Sequence, residues 1–288
     1  MKLSLTMTDH SWPDGVAGLR QVATLADQGG LDTIWVPDHL LQADPTSHPE
    51  AELFEAVTML GYLAAITSRA RLGMLVSPIT FRPPAVQVKA IVTLDAFTGG
   101  RAWFGLGIGW EGDEAKAMGI PMGPTGERFD QLQELLEIAD RMFAGDASPY
   151  QGEHFQLGGP ICSPRPARRP PVLIGGVGEQ RTLRIVARSA DACNLFDIPD
   201  GGKTIRHKLE VLRRHCDKAG RPYDAIEKTL STRLEPTDTV DDLVRRFETQ
   251  AALGIEHAIV IRTGPWTPES VQTLVETVPR IAALRPGD

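Results

Sequence analysis

Little in this chain points to a membrane, an oxidising compartment or a nucleic acid. No run of 18 apolar residues occurs, so no transmembrane helix is expected. The N-terminus, MKLSLTMTDHSW, has one lysine and turns polar by Thr6, too short an apolar stretch for a secretory signal. The three cysteines, Cys162, Cys193 and Cys216, form no CxxC. A disulfide framework and a zinc knuckle are therefore unsupported, and a reducing cytoplasm is the expected setting. Basic runs are missing and the net charge is −7, which removes the electrostatic footprint of a nucleic-acid binder. No HExxH, HxH or GxSxG is present, so a metalloprotease helix and a hydrolase elbow have no support. No GxGxxG follows the first β-type run, as a dinucleotide fold would require.

What is present is an ordinary globular composition, 42% hydrophobic and 23% charged over 288 residues, with a strict alternation of periods. Strand-like runs fall at 3–7, 32–36, 71–77, 101–107, 170–175, 191–196, 228–234 and 257–262. Between and after them lie stretches of helical period at 16–26, 53–66, 83–96, 127–143, 179–187, 203–219, 240–254 and 268–284. Gly29-Gly30 and Gly99-Gly100 stop two helices, and Pro83-Pro84 opens one. Eight strands alternating with eight helices predict a parallel sheet with helices outside. The count of eight favours a single (β/α)8 barrel, one domain over 1–288, over an open doubly wound sheet. The Pro-, Gly- and Arg-rich segment 145–169 reads as an insertion before the fifth strand.

A barrel of this kind works at the C-terminal ends of its strands. Candidates there are Thr8, Asp9, His10 and Trp12 after the first strand, Asp38-His39 after the second, and Ser77, Thr80 and Arg82 after the third. Gly107-Ile108-Gly109 follows the fourth strand, with Trp110 and the acidic group Glu111, Asp113 and Glu114 beyond it; Gly175-Gly176-Val177-Gly178 follows the fifth. Glycines let backbone N–H groups approach an anion, and a helix N-terminus adds favourable dipole charge. Two such loops on one face suit a phosphorylated cofactor, or are simply tight turns. Asp38-His39 sets a carboxylate beside a group that exchanges protons near neutral pH, or is a hydrogen-bonded loop anchor. Metal ligation by Asp9, His10, Asp38 and His39 is a weaker reading. Glu111, Asp113 and Glu114 read as a solvated turn.

These segments resemble the bacterial luciferase-like monooxygenase superfamily, and within it the branch of F420-dependent oxidoreductases. The resemblance rests on TIWVPDHL (33–40), on RLG, TGGR, GLGIGW and GERF within 55–138, and on PPVLIGGVGEQRTLRIVARSADACNLF (170–196). It implies a TIM barrel that holds coenzyme F420 at its mouth, with FMN as the alternative. The implied activity is hydride transfer between F420 and a small organic substrate, an enone, imine, carbonyl or alcohol. The alternative is a reduced-FMN-dependent monooxygenase; a non-catalytic flavin-binding relative and a metal-dependent barrel hydrolase are readings of other classes. The resemblance places a non-proline cis peptide near Leu75-Val76, with Ser77 next, against the cofactor ring. Asp38 and His39 map near that ring, and Gly107, Ile108, Gly109, Gly175, Gly176, Val177 and Gly178 onto the cofactor-binding loops. Arg181, with Arg165 and Arg168, is the candidate partner of an acidic cofactor tail. His39 is the first candidate for proton transfer and His10 the second. Related glucose-6-phosphate dehydrogenases carry a glutamate directly after the glycine loop; Trp110 stands there in this chain, which argues against sugar-phosphate oxidation. The resemblance also implies a homodimer, with helices 53–66 and 83–96 as interface elements or as ordinary packing against the barrel, together with a small-molecule substrate and an F420 reductase or dehydrogenase as redox supplier.

Overall fold

The computed structural model describes residues 1–110 and 112–287. In chain order its elements are β1 (Lys2–Thr6), α1 (Val16–Gln28), β2 (Thr33–Val36), α2 (Ala56–Ile66), β3 (Arg71–Met74), β4 (Ser77–Pro78), α3 (Pro84–Thr98) and β5 (Ala102–Gly107). There follow α4 (Gly112–Ala117), α5 (Thr125–Ala144), β6 (Tyr150–Gln151), β7 (Gln156–Leu157), β8 (Val172–Gly175), α6 (Thr182–Ser189) and β9 (Ala192–Phe196). The chain ends with α7 (Lys203–Ala219), β10 (Glu227–Leu234), α8 (Val240–Ala252), β11 (His257–Arg262) and α9 (Pro268–Ile281). β1 pairs in parallel with both β2 and β11, and β3 pairs with both β2 and β5. The ring therefore closes through β5, β8, β9, β10 and β11, and the open-sheet alternative is excluded. β4 pairs with β5 outside the ring. No helix among the described residues is long and apolar enough to cross a membrane.

Alternation along each strand sorts the side chains. Leu3, Leu5, Ile34, Val36, Phe104, Leu106, Val172 and Ile174 face the helices and join the main core. Trp35, Trp103, Leu173, Ala192 and Ile259 face inward and form a second cluster against Leu75 and Val76. The Trp35 and Trp103 rings lie 5.8 Å apart and fill the middle of the barrel. Beneath them the interior turns polar: Ser4 Oγ meets His257 Nε2 at 2.5 Å, and His257 Nδ1 meets Glu227 Oε1 at 2.7 Å. Ser4 and His257 are fully buried, so the N-terminal end of the barrel is shut.

Local chemistry moves several element boundaries from those the sequence suggests. α2 starts at Ala56 rather than 53, because the Glu55 carboxylate caps it by accepting the Thr58 N–H at 2.7 Å. α6 starts at Thr182, since Gly176 takes φ 117° and the loop runs on through Arg181. The long loop after β5 contains α4. The 145–169 insertion carries the antiparallel hairpin of β6 and β7. Glu134 on α5 pins that hairpin by accepting the N–H groups of Glu153, His154 and Phe155. The insertion is thus packed onto the barrel. On the outer side of α2 and α3, Val86 and Phe97 stand exposed beside an apolar groove of about 280 Å³.

The Leu75–Val76 peptide is cis, at the position the resemblance implies, and Val76 enters the barrel there. Three inward positions on the neighbouring strands are glycine. A Cβ at Gly105 would lie 1.8 Å from the Met74 carbonyl oxygen, and one at Gly107 would lie 2.7 Å from Val76 Cγ2. At Gly175 it would lie 3.0 Å from both Val76 methyl carbons. Gly105→Ala is expected to lower the urea midpoint by the equivalent of about 1–3 kcal/mol, the cost of overpacking against a backbone that cannot yield. Gly61→Ala, in the middle of α2 where nothing lies within 4 Å of the added carbon, should raise stability by about 0.5–1 kcal/mol. An unchanged midpoint for Gly105→Ala would refute this account of the glycines.

Candidate active site

A cavity of about 460 Å³ opens at the C-terminal ends of the strands, a size suited to a small-molecule site. Leu75, Val76, Gly107 and Gly175 line its depth, Trp110 and Met122 one side, and Gln42, Asp44 and Leu53 of the β2–α2 segment another. His39 reaches it from the end of β2. Its Nδ1 lies 2.7 Å from Glu114 Oε2, and the other Glu114 oxygen accepts the N–H groups of Leu40 and Leu41. Burial alone would raise the Glu114 carboxyl; the His39 contact and the two N–H groups outweigh it and hold the group below the usual carboxylate range. An anionic Glu114 keeps a proton on Nδ1. Nε2 is the remaining ring nitrogen and has no hydrogen-bond partner among the described residues. Trp110 meets the His39 ring edge-on at 5.9 Å.

Asp38 and His39, adjacent in the chain, take opposite directions. Asp38 is fully buried and does not pair with His39. It receives Arg82 at both oxygens, at 2.5 and 2.9 Å, and the Ser77 hydroxyl at 2.5 Å. Arg82 also reaches Glu55 at 2.7 Å, and Gln87 donates to Ser77 Oγ at 2.6 Å. This network stitches the end of β2 to β4, to the entry of α3 and to the cap of α2. Asp38 and Ser77 act from behind the wall.

Of the other sequence candidates, Ile108, Gly109 and Gly176 line the cavity, while Val177, Gly178 and Arg181 do not. Arg181 pairs with Asp130, donates to the Gly126 carbonyl at 3.0 Å and stacks over Phe129. Arg165 is turned to the Phe143 carbonyl, and Arg168 is exposed. The N–H groups of Gly109, Trp110, Gly176, Val177 and Gly178 have no partner among the described residues. Glu111 lies outside the described residues. Asp9 accepts the Ser11 N–H at 2.9 Å, so Asp9, His10, Asp38 and His39 do not converge. Among the described residues no group of His, Cys, Asp or Glu is arranged to hold a metal.

His10, the second proton-transfer candidate, is turned away from the cavity. It is buried against Trp12 and Phe54. Its Nε2–H donates to the Met7 carbonyl at 3.0 Å and its Nδ1 accepts the Phe54 N–H at 2.7 Å. Both nitrogens are spent on holding the β1–α1 and β2–α2 loops together.

Asp44 and Arg233 are the site residues that sequence reasoning missed, whereas Arg82 was a candidate by its place after the third strand and Glu114 was named but misread. Glu114 was expected to be solvated, but its side chain is only 5% exposed. It is the third residue of α4, a helix too short to show a period in the sequence. Asp44 and Arg233 meet at 2.9 Å across 189 positions, with no local pattern to announce it.

Burial pushes the His10 imidazole down to about 4 from an ordinary 6.5. The unfolded chain therefore takes up a proton between those values that the folded protein refuses, so stability is full above pH 6.5 and falls as the pH drops toward 4. The loss from this residue should reach roughly 3 kcal/mol. Asp27, Asp44 and Glu114, all held below their ordinary range, lose their contributions at still lower pH. Urea midpoints measured from pH 7 to 4.5 should fall in the wild type and fall less steeply in His10→Gln; parallel slopes would disprove the assignment.

The family model of luciferase-like monooxygenases matches residues 3–283. An F420-dependent glucose-6-phosphate dehydrogenase of Kineococcus radiotolerans is 29% identical over 221 residues, covering 75% of this chain and 63% of that protein. The match therefore spans less than two thirds of the relative's length. Among solved structures, an F420-dependent secondary alcohol dehydrogenase in complex with an F420-acetone adduct superposes with a TM-score of 0.84 at 15% identity, covering 97% of this chain and 98% of the other. A monooxygenase from Streptomyces bottropensis superposes with a TM-score of 0.80 at 18% identity, covering 98% and 100%. At such identities the likeness is one of fold. The family model spans nearly the whole described barrel, and the chain belongs to the luciferase-like monooxygenase family.

Proposed function

We propose that this protein is an F420-dependent oxidoreductase that moves a hydride between the deazaflavin and a small carbonyl, imine, enone or alcohol, with His39 as its proton relay. The observation that carries the proposal is the His39–Glu114 couple, which spends Nδ1 on a buried carboxylate and leaves Nε2 for the cavity. The F420-dependent relative supports the cofactor. So does the fit of the walls. Glycine at 107 and 175 lets Val76 pack close against the strand backbones and line the depth of the cavity, and the unpartnered N–H groups of 109–110 and 176–178 suit a phosphate on the cofactor tail. A deazaflavin bound there supplies a two-electron carrier that reacts poorly with oxygen.

The chain's own residues supply the rest. Nε2 of His39 gives a proton to a substrate oxygen or nitrogen as the adjacent carbon is reduced, and takes one back in the reverse direction. Glu114 fixes the ring's orientation and stabilises the imidazolium as it forms. Trp110 and Met122 give the site an apolar side wall. The second reading, a reduced-FMN-dependent monooxygenase, draws on the backbone likeness to the Streptomyces enzyme.

Parallel fluorescence titrations with F420 and FMN separate the two. Tight F420 and weak FMN binding is expected; the reverse order would transfer the proposal to oxygen chemistry. His39→Gln should lower kcat by about 10²–10⁴-fold with F420 affinity changed no more than a few-fold. Glu114→Gln should lower it less and distort its pH profile. A kcat unaffected by His39→Gln would remove His39 from the mechanism.

A further inference from the structure

Among the described residues, four ionisable side chains line the cavity, and they engage one another in two couples. His39 is engaged by Glu114. Arg233, at the inward-facing end of β10, is engaged by Asp44 of the β2–α2 segment, Nη2 to Oδ1 at 2.9 Å. Thr46 accepts the other arm of the guanidinium at 3.0 Å, and Asp44 Oδ1 also accepts the Thr46 N–H and hydroxyl. Burial would raise the Asp44 carboxyl, but the Thr46 donors and Arg233 outweigh it and keep it ionised. The Asp44 side chain is 6% exposed and that of Arg233 34%, so the carboxylate sits behind the guanidinium and holds it to the wall. The other lining groups are largely apolar: Leu53, Phe81, Ile108, Trp110 and Met122 among them.

This wall offers a phosphorylated substrate no unengaged cation. With the free N–H groups at 109–110 and 176–178 given to the cofactor, a substrate phosphate would leave water without a cation to compensate it, a desolvation cost that an uncharged molecule does not meet. An unpaired Arg233 would reverse that preference. Specificity of this kind arises as much from the partner that refuses a ligand as from the groups that accept one. We propose that the site takes an uncharged, predominantly apolar ketone, enone or alcohol, and that Asp44 sets this choice by occupying Arg233 and so excluding sugar phosphates. The substrate class rests on the F420 reading above, whereas the exclusion of anions rests on the pairing of Arg233 with Asp44.

The test is binding, read by tryptophan fluorescence and calorimetry, with cofactor affinity measured first from the fluorescence of F420 itself. If F420 fails to bind, the cofactor reading falls, and the same ligand comparison is made on the free protein. Against the F420-loaded wild type, a panel of neutral ketones, enones and alcohols should include binders. Glucose 6-phosphate should bind at least about 100-fold more weakly than the best of them. Asp44→Asn should tighten glucose 6-phosphate by about tenfold or more while moving the best neutral ligand only a few-fold. Adding Arg233→Gln to that variant should abolish the gain, which separates a freed guanidinium from a loosened loop. Circular dichroism checks that each variant is folded; if Asp44→Asn is not, the wild-type preference and the Arg233→Gln single variant, expected to gain no anion affinity, decide. Wild-type binding of glucose 6-phosphate as tight as that of any neutral ligand would overturn the proposal. So would a panel without binders, or an Asp44→Asn variant with no gain.

Discussion

One buried carboxylate organises the mouth of this barrel. Asp38 has no contact with solvent, and an unpaired charge there would cost several kcal/mol. The chain meets that demand by bringing Arg82 to both oxygens and Ser77 to one. Arg82 in turn fastens Glu55, the cap of α2. The end of β2, the β3–β4 turn and the entries of α2 and α3 cannot shift independently while that pair holds. His39 inherits its position from this arrangement: with Asp38 anchored behind the wall, the next side chain is delivered to the cavity. The carboxylate that first looked like a partner of the imidazole is instead what aims it.

The depth of the cavity follows from a second constraint. Val76 occupies space inside the barrel that an ordinary strand would leave to its neighbours, and Gly105, Gly107 and Gly175 are the neighbours that give way. The glycine pattern at the ends of β5 and β8 therefore answers to two demands, close packing below and exposed N–H groups above. Local patterning and tertiary packing agree at these positions, as consistency across levels requires.

Much of the fold was legible because a closed parallel barrel writes itself as alternation. Inward and outward residues of β2, β5, β8 and β11 change character with a period of two, and the covering helices repeat near 3.6. The eight strands and their order followed from that. Short elements did not: α4 and the hairpin of β6 and β7 are each too brief to show a period. At the site, His39 and the glycine loops were legible because they sit beside strand ends. Glu114 was not, since three nearby acids in a polar loop look alike until one is folded under His39. The Asp38-His39 dipeptide left two readings open, a paired carboxylate and imidazole or a hydrogen-bonded anchor, and the structure divides them between the two residues because successive side chains at a strand end diverge. Asp44 and Arg233 belong to distant segments that only barrel closure brings together.

The tryptophans in the middle of the barrel bear on traffic as well as packing. Trp35 and Trp103 fill the interior below the cavity, and the polar layer of Ser4, His257 and Glu227 shuts the far end. Among the described residues the site is a well closed at its base. When two ligands share such a well, the one seated deeper must arrive first and depart last, while the shallower one controls the exit. Two ligands sharing the well would then bind and leave in order, past the rim where Trp110 and the β2–α2 segment stand.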